Sequence, residues 1–243
     1  MDVASLHEAY AGLTPQARLI AFRAAVPGRI IFTTSFGIED QMITHLIAEA
    51  QLDITLATLD TGRLFPETYA LWAKTEARYG LKITPYAPQA SGVEEYIRQY
   101  GINGFYASPE ARKSCCNVRK IAPLARALGG AAGWITGLRA DQSANRAGLA
   151  MVSEDARGLI KLNPLFDLTR ADIADFCDAH DVPVNPLHDR GFLSIGCTPC
   201  TRALQPGEPE RAGRWWWEDE TKKECGLHIG ADGRLTRGAE AGV

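Results

Sequence analysis

Residues 29–50, RIIFTTSFG followed by IEDQMITHLIAEA, constrain the fold more than any other stretch. The first part is a short apolar run with β-branched residues, which reads as a strand ending at a glycine. In the second part Ile38, Met42, Ile43, Leu46 and Ile47 recur at helical spacing. The unit then repeats. LDITLATLD reads as a strand, TGRLF as a turn, and PETYALWAKTEARYG as a helix opened by Pro66, where a missing N–H is tolerated. KITPYAP reads as a third strand and VEEYIRQYG as a short helix.

Further along, CNVRKIAPLARALGG reads as a helix with Pro123 as a bend and Gly129-Gly130 as its end. GWITG is a strand leading into the polar loop LRADQSANRAG. GLIKLNPLF is another strand, and TRADIADFCDAH a helix capped by Thr169. Residues 1–28 are expected to pack as a helix, and the chain after Val182 is expected to be mostly loop. Strands alternating with helices imply an α/β fold, a mostly parallel twisted sheet with helices on both faces. In such sheets ligands sit at the carboxyl ends of the strands. The loops TTSFGIED, LDTGR and GLRADQSANR should therefore converge on one site.

Composition excludes several function classes. The 243 residues are 46% hydrophobic and 23% charged, enough apolar material for a substantial core. A net charge of −3 gives no reason to expect a general binder of nucleic acid or anionic membrane. No run of about 18 apolar residues is present to span a bilayer. The start, MDVASLHEAYAGL, lacks a basic patch followed by an apolar stretch, so a cytoplasmic protein is expected. Cysteines at 115, 116, 177, 197, 200 and 225 are too few for a disulfide scaffold of this size. They read instead as metal ligands, catalytic thiols or core residues.

At the first strand–helix junction, Ser35 and Gly37 could present backbone N–H groups and a helix dipole to a phosphate. Equally, Ser35 could cap the helix while Gly37 eases the turn. Asp60-Thr61-Gly62-Arg63 ends the next strand, where a carboxylate could meet a ribose and an arginine a phosphate.

Cys115 and Cys116 are adjacent, with Cα atoms about 3.8 Å apart, too close for an unstrained disulfide. Paired with Cys197-Thr198-Pro199-Cys200 they make four thiolates, enough for structural zinc or an iron–sulfur cluster. Neighbouring residues must splay to bind one small ion, whereas a cluster offers several metal corners, so geometry favours the cluster. If Ser114 caps a helix, both thiols lie in its first turn, with Arg119 and Lys120 one turn on. Cys177, beside Ile173 and Phe176, reads as a buried structural thiol. Cys225, in TKKECGLHIG, has no neighbouring cysteine and sits among Lys222, Lys223 and His228, so it reads either as a low-pKa nucleophile or as an inert exposed cysteine. Upstream, GRWWWEDE follows Arg211 and carries Arg214, charges suited to phosphate or sulfate or, equally, to a solvated hinge.

Together SFGIEDQ, LDTGR, CCNVRK, GLRADQSANR, HDRGFLSIGCTPCTR, GRWWWE and KKECGLH resemble the assimilatory adenylylsulfate (APS) reductases of the phosphoadenylylsulfate (PAPS) reductase family. The match runs over roughly residues 30–230, and KKECGLH is its most specific element. The resemblance implies a fold like that of ATP-pyrophosphatase-type nucleotide binders (adenine nucleotide alpha hydrolase-like). It implies conversion of APS to sulfite and AMP through an enzyme S-sulfocysteine, with thioredoxin as reductant, and a homo-oligomer. It implies that Cys225 is the nucleophile and that Cys115, Cys116, Cys197 and Cys200 hold a [4Fe–4S] cluster. Ser35, Phe36, Gly37, Asp60, Thr61, Gly62 and Arg63 would line the nucleotide pocket. Lys120, Arg146, Arg211, Arg214 and His228 would neutralise the phosphosulfate, with Arg139 the competitor of Arg146. Residues 1–206 would form one domain, and 207–243 a mobile tail bearing Cys225. Three alternatives stay open: use of PAPS, an ATP-dependent adenylating or sulfur-transfer enzyme with structural zinc, or a non-enzymatic iron–sulfur redox sensor that binds a nucleotide.

Overall fold

A computed structural model describes residues 3–142, 149–154 and 158–219. The amino-terminal segment forms two helices rather than one, α1 (Val3–Tyr10) and α2 (Pro15–Ala25). Thr14 separates them because its hydroxyl accepts the Ala17 N–H, capping a new helix that Pro15 opens. The alternating core follows: β1 (Ile30–Thr34), α3 (Ile38–Glu49), β2 (Thr55–Thr58), α4 (Pro66–Tyr79), β3 (Thr84–Pro85) and α5 (Ala90–Tyr100). After these come α6 (Pro109–Cys116), α7 (Ala122–Leu128), β4 (Gly133–Ile135), β5 (Val152–Glu154), β6 (Ile160–Leu162) and α8 (Arg170–Ala179).

Among the described residues the strands form one sheet in the order β3-β2-β1-β4-β6-β5. Every pairing is parallel except β5 against β6. The edge strand β5 was not anticipated. It lies within the stretch after the polar loop, and its three residues are too short for a period-2 pattern to declare itself.

Successive residues of β1 feed opposite layers. Ile30 and Phe32 join the core formed with α2, α3 and α8, while Ile31 packs with Ala57, Leu124, Leu128 and Trp134 beneath α7. Burial on both faces explains why IIF reads as an unbroken apolar run. Each such fully buried side chain contributes about 1.5–3 kcal/mol.

Two local expectations are corrected. Ser114 does not cap a helix. The cap is Ser108, whose hydroxyl accepts the Ala111 N–H, so Cys115 and Cys116 close α6 instead of opening the next helix. Nor does α7 follow directly: residues Asn117–Ile121 form a π-helical turn between α6 and α7. Pro123 accounts for it. A proline has no N–H to donate and its ring crowds the carbonyl four residues back, so the ladder ahead of it widens, with Ala122 N–H reaching Asn117 O.

Residues 207–219 pack back onto the domain as a strap. Thr201 and Arg214 form an antiparallel bridge, Arg202 N–H donates to Gly213 O at 3.0 Å, and Trp215 N–H donates to Cys200 O at 3.2 Å.

Candidate functional site

The carboxyl ends of β1, β2 and β4 open onto a cavity of about 250 Å³. Its wall includes Thr33, Thr34, Ser35 and Gly37 from the first junction, Thr58 and Thr61 from the second, and Thr136 and Gly137 from the third. Lys120, Lys161, Arg211 and Arg214 bring positive charge to it, and Glu39, Asp40 and Glu210 negative charge. The three loops singled out by topology thus supply one site. Lys161 lies 4.8 Å from the Trp134 ring centre, and Trp134 Nε1 donates to Thr33 Oγ1 at 2.9 Å.

The β1–α3 loop is rigidly held. Asp40 Oδ2 accepts from both the Ser35 N–H (2.6 Å) and the Ser35 hydroxyl (2.8 Å). Ser35 therefore does not cap α3; the cap is Gly37, with no side-chain bond. Burial pushes the Asp40 carboxyl up to about 7, against the two Ser35 hydrogen bonds, which favour its ionised form. Phe36 has φ of 61°, a left-handed conformation that strains any residue with a β-carbon. Its fully buried ring, stacked on Trp72 with centroids 5.6 Å apart, holds it there. Phe36 thus shapes the loop from behind, and its side chain is not on the cavity wall.

The second loop divides its residues between two cavities. Thr61 lines the larger one. Asp60 lies off its wall, with Oδ1 accepting from Gly62 N–H at 2.9 Å and the Tyr69 hydroxyl at 2.7 Å. Arg63 faces a second, smaller cavity, stacks 5.3 Å from the Phe105 ring centre, and donates to Ile102 O at 2.7 Å. Gly62, with φ of 68°, makes the turn that sends Thr61 and Arg63 to different sides.

That second cavity is lined by Cys115, Cys116, Cys197 and Cys200, with Arg63, Arg112, Arg119, Lys120 and Arg214 around them. The C-x₂-C loop is a 3₁₀ turn over Thr198–Cys200, fixed by Thr198 N–H donating to Arg63 O at 2.8 Å. Thr61 Oγ1 lies 3.3 Å from Cys197 Sγ, and Arg119 Nη1 donates to Thr61 O at 2.6 Å. Burial raises the Cys200 thiol to about 12 and pushes Cys115 up as well, Arg119 opposing the latter. Three buried N–H donors around these thiols, Trp215 Nε1, Trp217 Nε1 and Arg214 Nε, have no hydrogen-bond partner among the described residues. Among the described residues, no group of three or more His, Cys, Asp or Glu side chains is arranged to hold a metal ion. Cys177 is separate, a core thiol of α8 raised to about 12 by burial.

Lys120, Arg214 and Trp215 line both cavities, so the two share a wall. Of the remaining expected site residues, Arg146, Cys225 and His228 lie outside the described residues. Motif reading missed the threonines at the strand ends, although their repetition at 33, 34, 58 and 136 was there to be noticed. It also missed Glu39 and Glu210, whose significance depends on a distant arginine.

A family model described as the phosphoadenosine phosphosulfate reductase domain matches residues 29–203. Among curated relatives, an adenosine 5'-phosphosulfate reductase of Sinorhizobium fredii (strain NBRC 101917 / NGR234) is 55% identical over 233 residues, covering 94% of this chain and 91% of that one. A protein of the same name from Agrobacterium fabrum (strain C58 / ATCC 33970) is 54% identical, covering 94% and 88%. Among solved structures, the phosphoadenylyl-sulfate reductase of Candida auris, in a phosphate complex, superposes with a TM-score of 0.71 at 26% identity, over 82% of this chain and 96% of that one. Yeast FAD synthetase shares the fold alone, with a TM-score of 0.53 at 16% identity over 82% and 67%. With the strand-end loops and all four cysteines of the two cavities inside the matched span, the chain belongs to the phosphoadenosine phosphosulfate reductase domain family.

Proposed function

We propose that this protein reduces adenylyl sulfate to sulfite and AMP, using the electrons of a thioredoxin-like dithiol. The observation that carries the reading is the wall shared by the two cavities, where Lys120 and Arg214 can face a nucleotide-bound anion and the cysteines together. Relatives named adenosine 5'-phosphosulfate reductase at 54–55% identity support the choice of substrate.

In this reading the nucleotide occupies the larger cavity, with Ser35 and Gly37 beside its 5'-phosphate and Lys120, Arg211 and Arg214 over the sulfate joined to that phosphate. Arg146 and His228 add to that charge from outside the described residues. The Cys225 thiolate attacks the sulfate sulfur, forming an S–S bond as the S–O bond to the phosphate breaks, and AMP leaves with the electron pair. The cations stabilise the charge that builds on the departing phosphate. A thiolate of the dithiol then attacks the Cys225 sulfur and releases sulfite. The second thiol resolves the mixed disulfide and returns Cys225 as a thiol. No cysteine neighbours Cys225 in sequence, which is why an outside dithiol is invoked. Residues 207–243 would bring Cys225 to the cavity, in a homo-oligomeric cytoplasmic enzyme of sulfate assimilation.

Cys115, Cys116, Cys197 and Cys200 fit a [4Fe–4S] cluster. They surround one cavity, basic side chains lie beside them to balance thiolate charge, and three buried N–H groups await acceptors. Bound there, the cluster would supply a fixed anionic surface beside Lys120 and no electrons to the reaction.

The test is to mix enzyme with adenylyl sulfate without reductant and weigh the intact protein. One SO₃ group should be gained per chain, and none in Cys225→Ala. A wild-type enzyme that turns over without ever carrying the adduct sinks the proposal. A second reading, use of phosphoadenylyl sulfate, has the Candida auris relative in its favour. The ratio of kcat/KM for the two nucleotides separates them.

A further inference from the structure

Arg139 is fully buried, yet it belongs to the loop from which a substrate-binding arginine was expected. Its guanidinium is already engaged. Nε donates to Glu39 Oε1 at 3.0 Å, Nη2 donates to Glu210 at 2.8 and 3.0 Å, and Nη1 pairs with Asp141. Gln142 Nε2 donates to the same Glu39 oxygen at 3.0 Å, and Arg170 approaches Glu210 at 3.9 Å. Burial would pull Arg139 down, but Glu39 and Glu210 outweigh it and hold the guanidinium up.

The two carboxylates stand in different parts of the molecule. Glu39 is in the first turn of α3, next to the Ser35–Gly37 loop, and Glu210 is on the strap, beside Arg211 and one turn before Arg214. Both line the larger cavity. Left unpaired, they would put two negative charges in a pocket whose proposed ligand is an anion, and would repel it. Arg139 itself is not on the cavity wall, and its donors engage carboxylates.

We propose that Arg139 is a positioning residue. By pairing with Glu39 and Glu210 it offsets one of the two negative charges on the cavity wall and so lowers the repulsion that a bound anion meets. The proposal rests on the larger cavity being the nucleotide site.

The test compares AMP with adenosine, which differ in charge but share the base and ribose. Both are titrated into purified full-length enzyme by calorimetry. In Arg139→Gln, AMP affinity should fall about tenfold or more, while adenosine affinity should change less than about twofold. Adding Glu210→Gln, which removes one of the two carboxylates and returns the local net charge to that of the wild type, should restore AMP binding to within about threefold of wild type. If Arg139→Gln does not fold, Arg139→Lys replaces it. One ammonium cannot span both carboxylates, so AMP should weaken about threefold or more with adenosine unchanged. A parallel loss of both ligands in a folded variant means a merely structural role and overturns the proposal, as does unchanged AMP binding. Wild-type enzyme that binds neither ligand overturns the nucleotide site itself.

Discussion

Arg112 grips Glu218 with two hydrogen bonds, Nε to Oε1 at 2.9 Å and Nη2 to Oε2 at 2.7 Å. The side chains are only 1% and 3% exposed. The same guanidinium lies 4.7 Å from the Trp215 ring centre, sandwiching the strap against α6, the helix that ends in Cys115-Cys116. One end of the strap is therefore tied to the cysteine helix, while Glu210 ties the other to Arg139.

Glu218→Ala should be costly, because it takes a two-pronged carboxylate partner away from a guanidinium that is almost fully buried. A loss of about 3–5 kcal/mol is expected, measured by urea denaturation. Glu218→Gln should lose less, since it keeps one acceptor. A loss below about 1 kcal/mol for the alanine variant would place the pair in solvent instead.

Gly196→Ala separates stability from binding. A β-carbon at Gly196 would lie 2.3 Å from Arg214 Nη2, so the guanidinium must move. It is the far end of a flexible side chain but is buried against the Trp215 ring, so the shift should cost about 1–3 kcal/mol without preventing folding. AMP affinity should nevertheless fall about tenfold, because Arg214 leaves the wall common to both cavities. Unchanged affinity in calorimetry would remove Arg214 from the binding surface.

Asp40 should make stability depend on pH in an unusual direction. Its folded pKa, about 7, lies above the ordinary 3.8, chiefly through burial. Between those values the unfolded chain has released a proton that the folded chain retains. Stability contributed at this site therefore falls as pH rises through the window, and levels off above about 7. Asp40→Asn lacks this titration. Its stability relative to wild type should increase from pH about 4 to about 7 and then stay constant in chemical denaturation curves. A difference independent of pH would show that Asp40 ionises normally.

Replacing any of Cys115, Cys116, Cys197 or Cys200 by serine should lower iron and sulfide content and visible absorbance in anaerobically purified protein. Cys177→Ala should keep all three, since that thiol belongs to the main core. Full iron content in the four serine variants would assign the metal elsewhere.

Much of the architecture was legible in the chain. The strand–glycine–helix repeat from Ile30 to Glu49 and from Thr55 to Tyr79 announced itself by period, and Thr169 by its capping chemistry, now seen as a reciprocal box with Asp172. The elements that escaped were those without a period, β5 with three residues and the π turn ahead of Pro123. The cysteine set was equally legible, because Cys115-Cys116 and Cys197-x₂-Cys200 are short-range patterns, and folding placed them around one cavity.

Local patterns determine local structure, and from the sequence alone came the α/β order, the loops of the site and the thiols expected to face one another. Tertiary packing decided where each charge went. It turned Arg63 to the cysteine side, set Phe36 behind its loop, and fastened Arg139 to Glu39, 100 residues earlier, and to Glu210, 71 residues later. The reason is physical. A side chain's rotamer and helical period are set within a few residues, but the partner of a buried guanidinium is whichever carboxylate the fold delivers to it, and burial then leaves it no alternative.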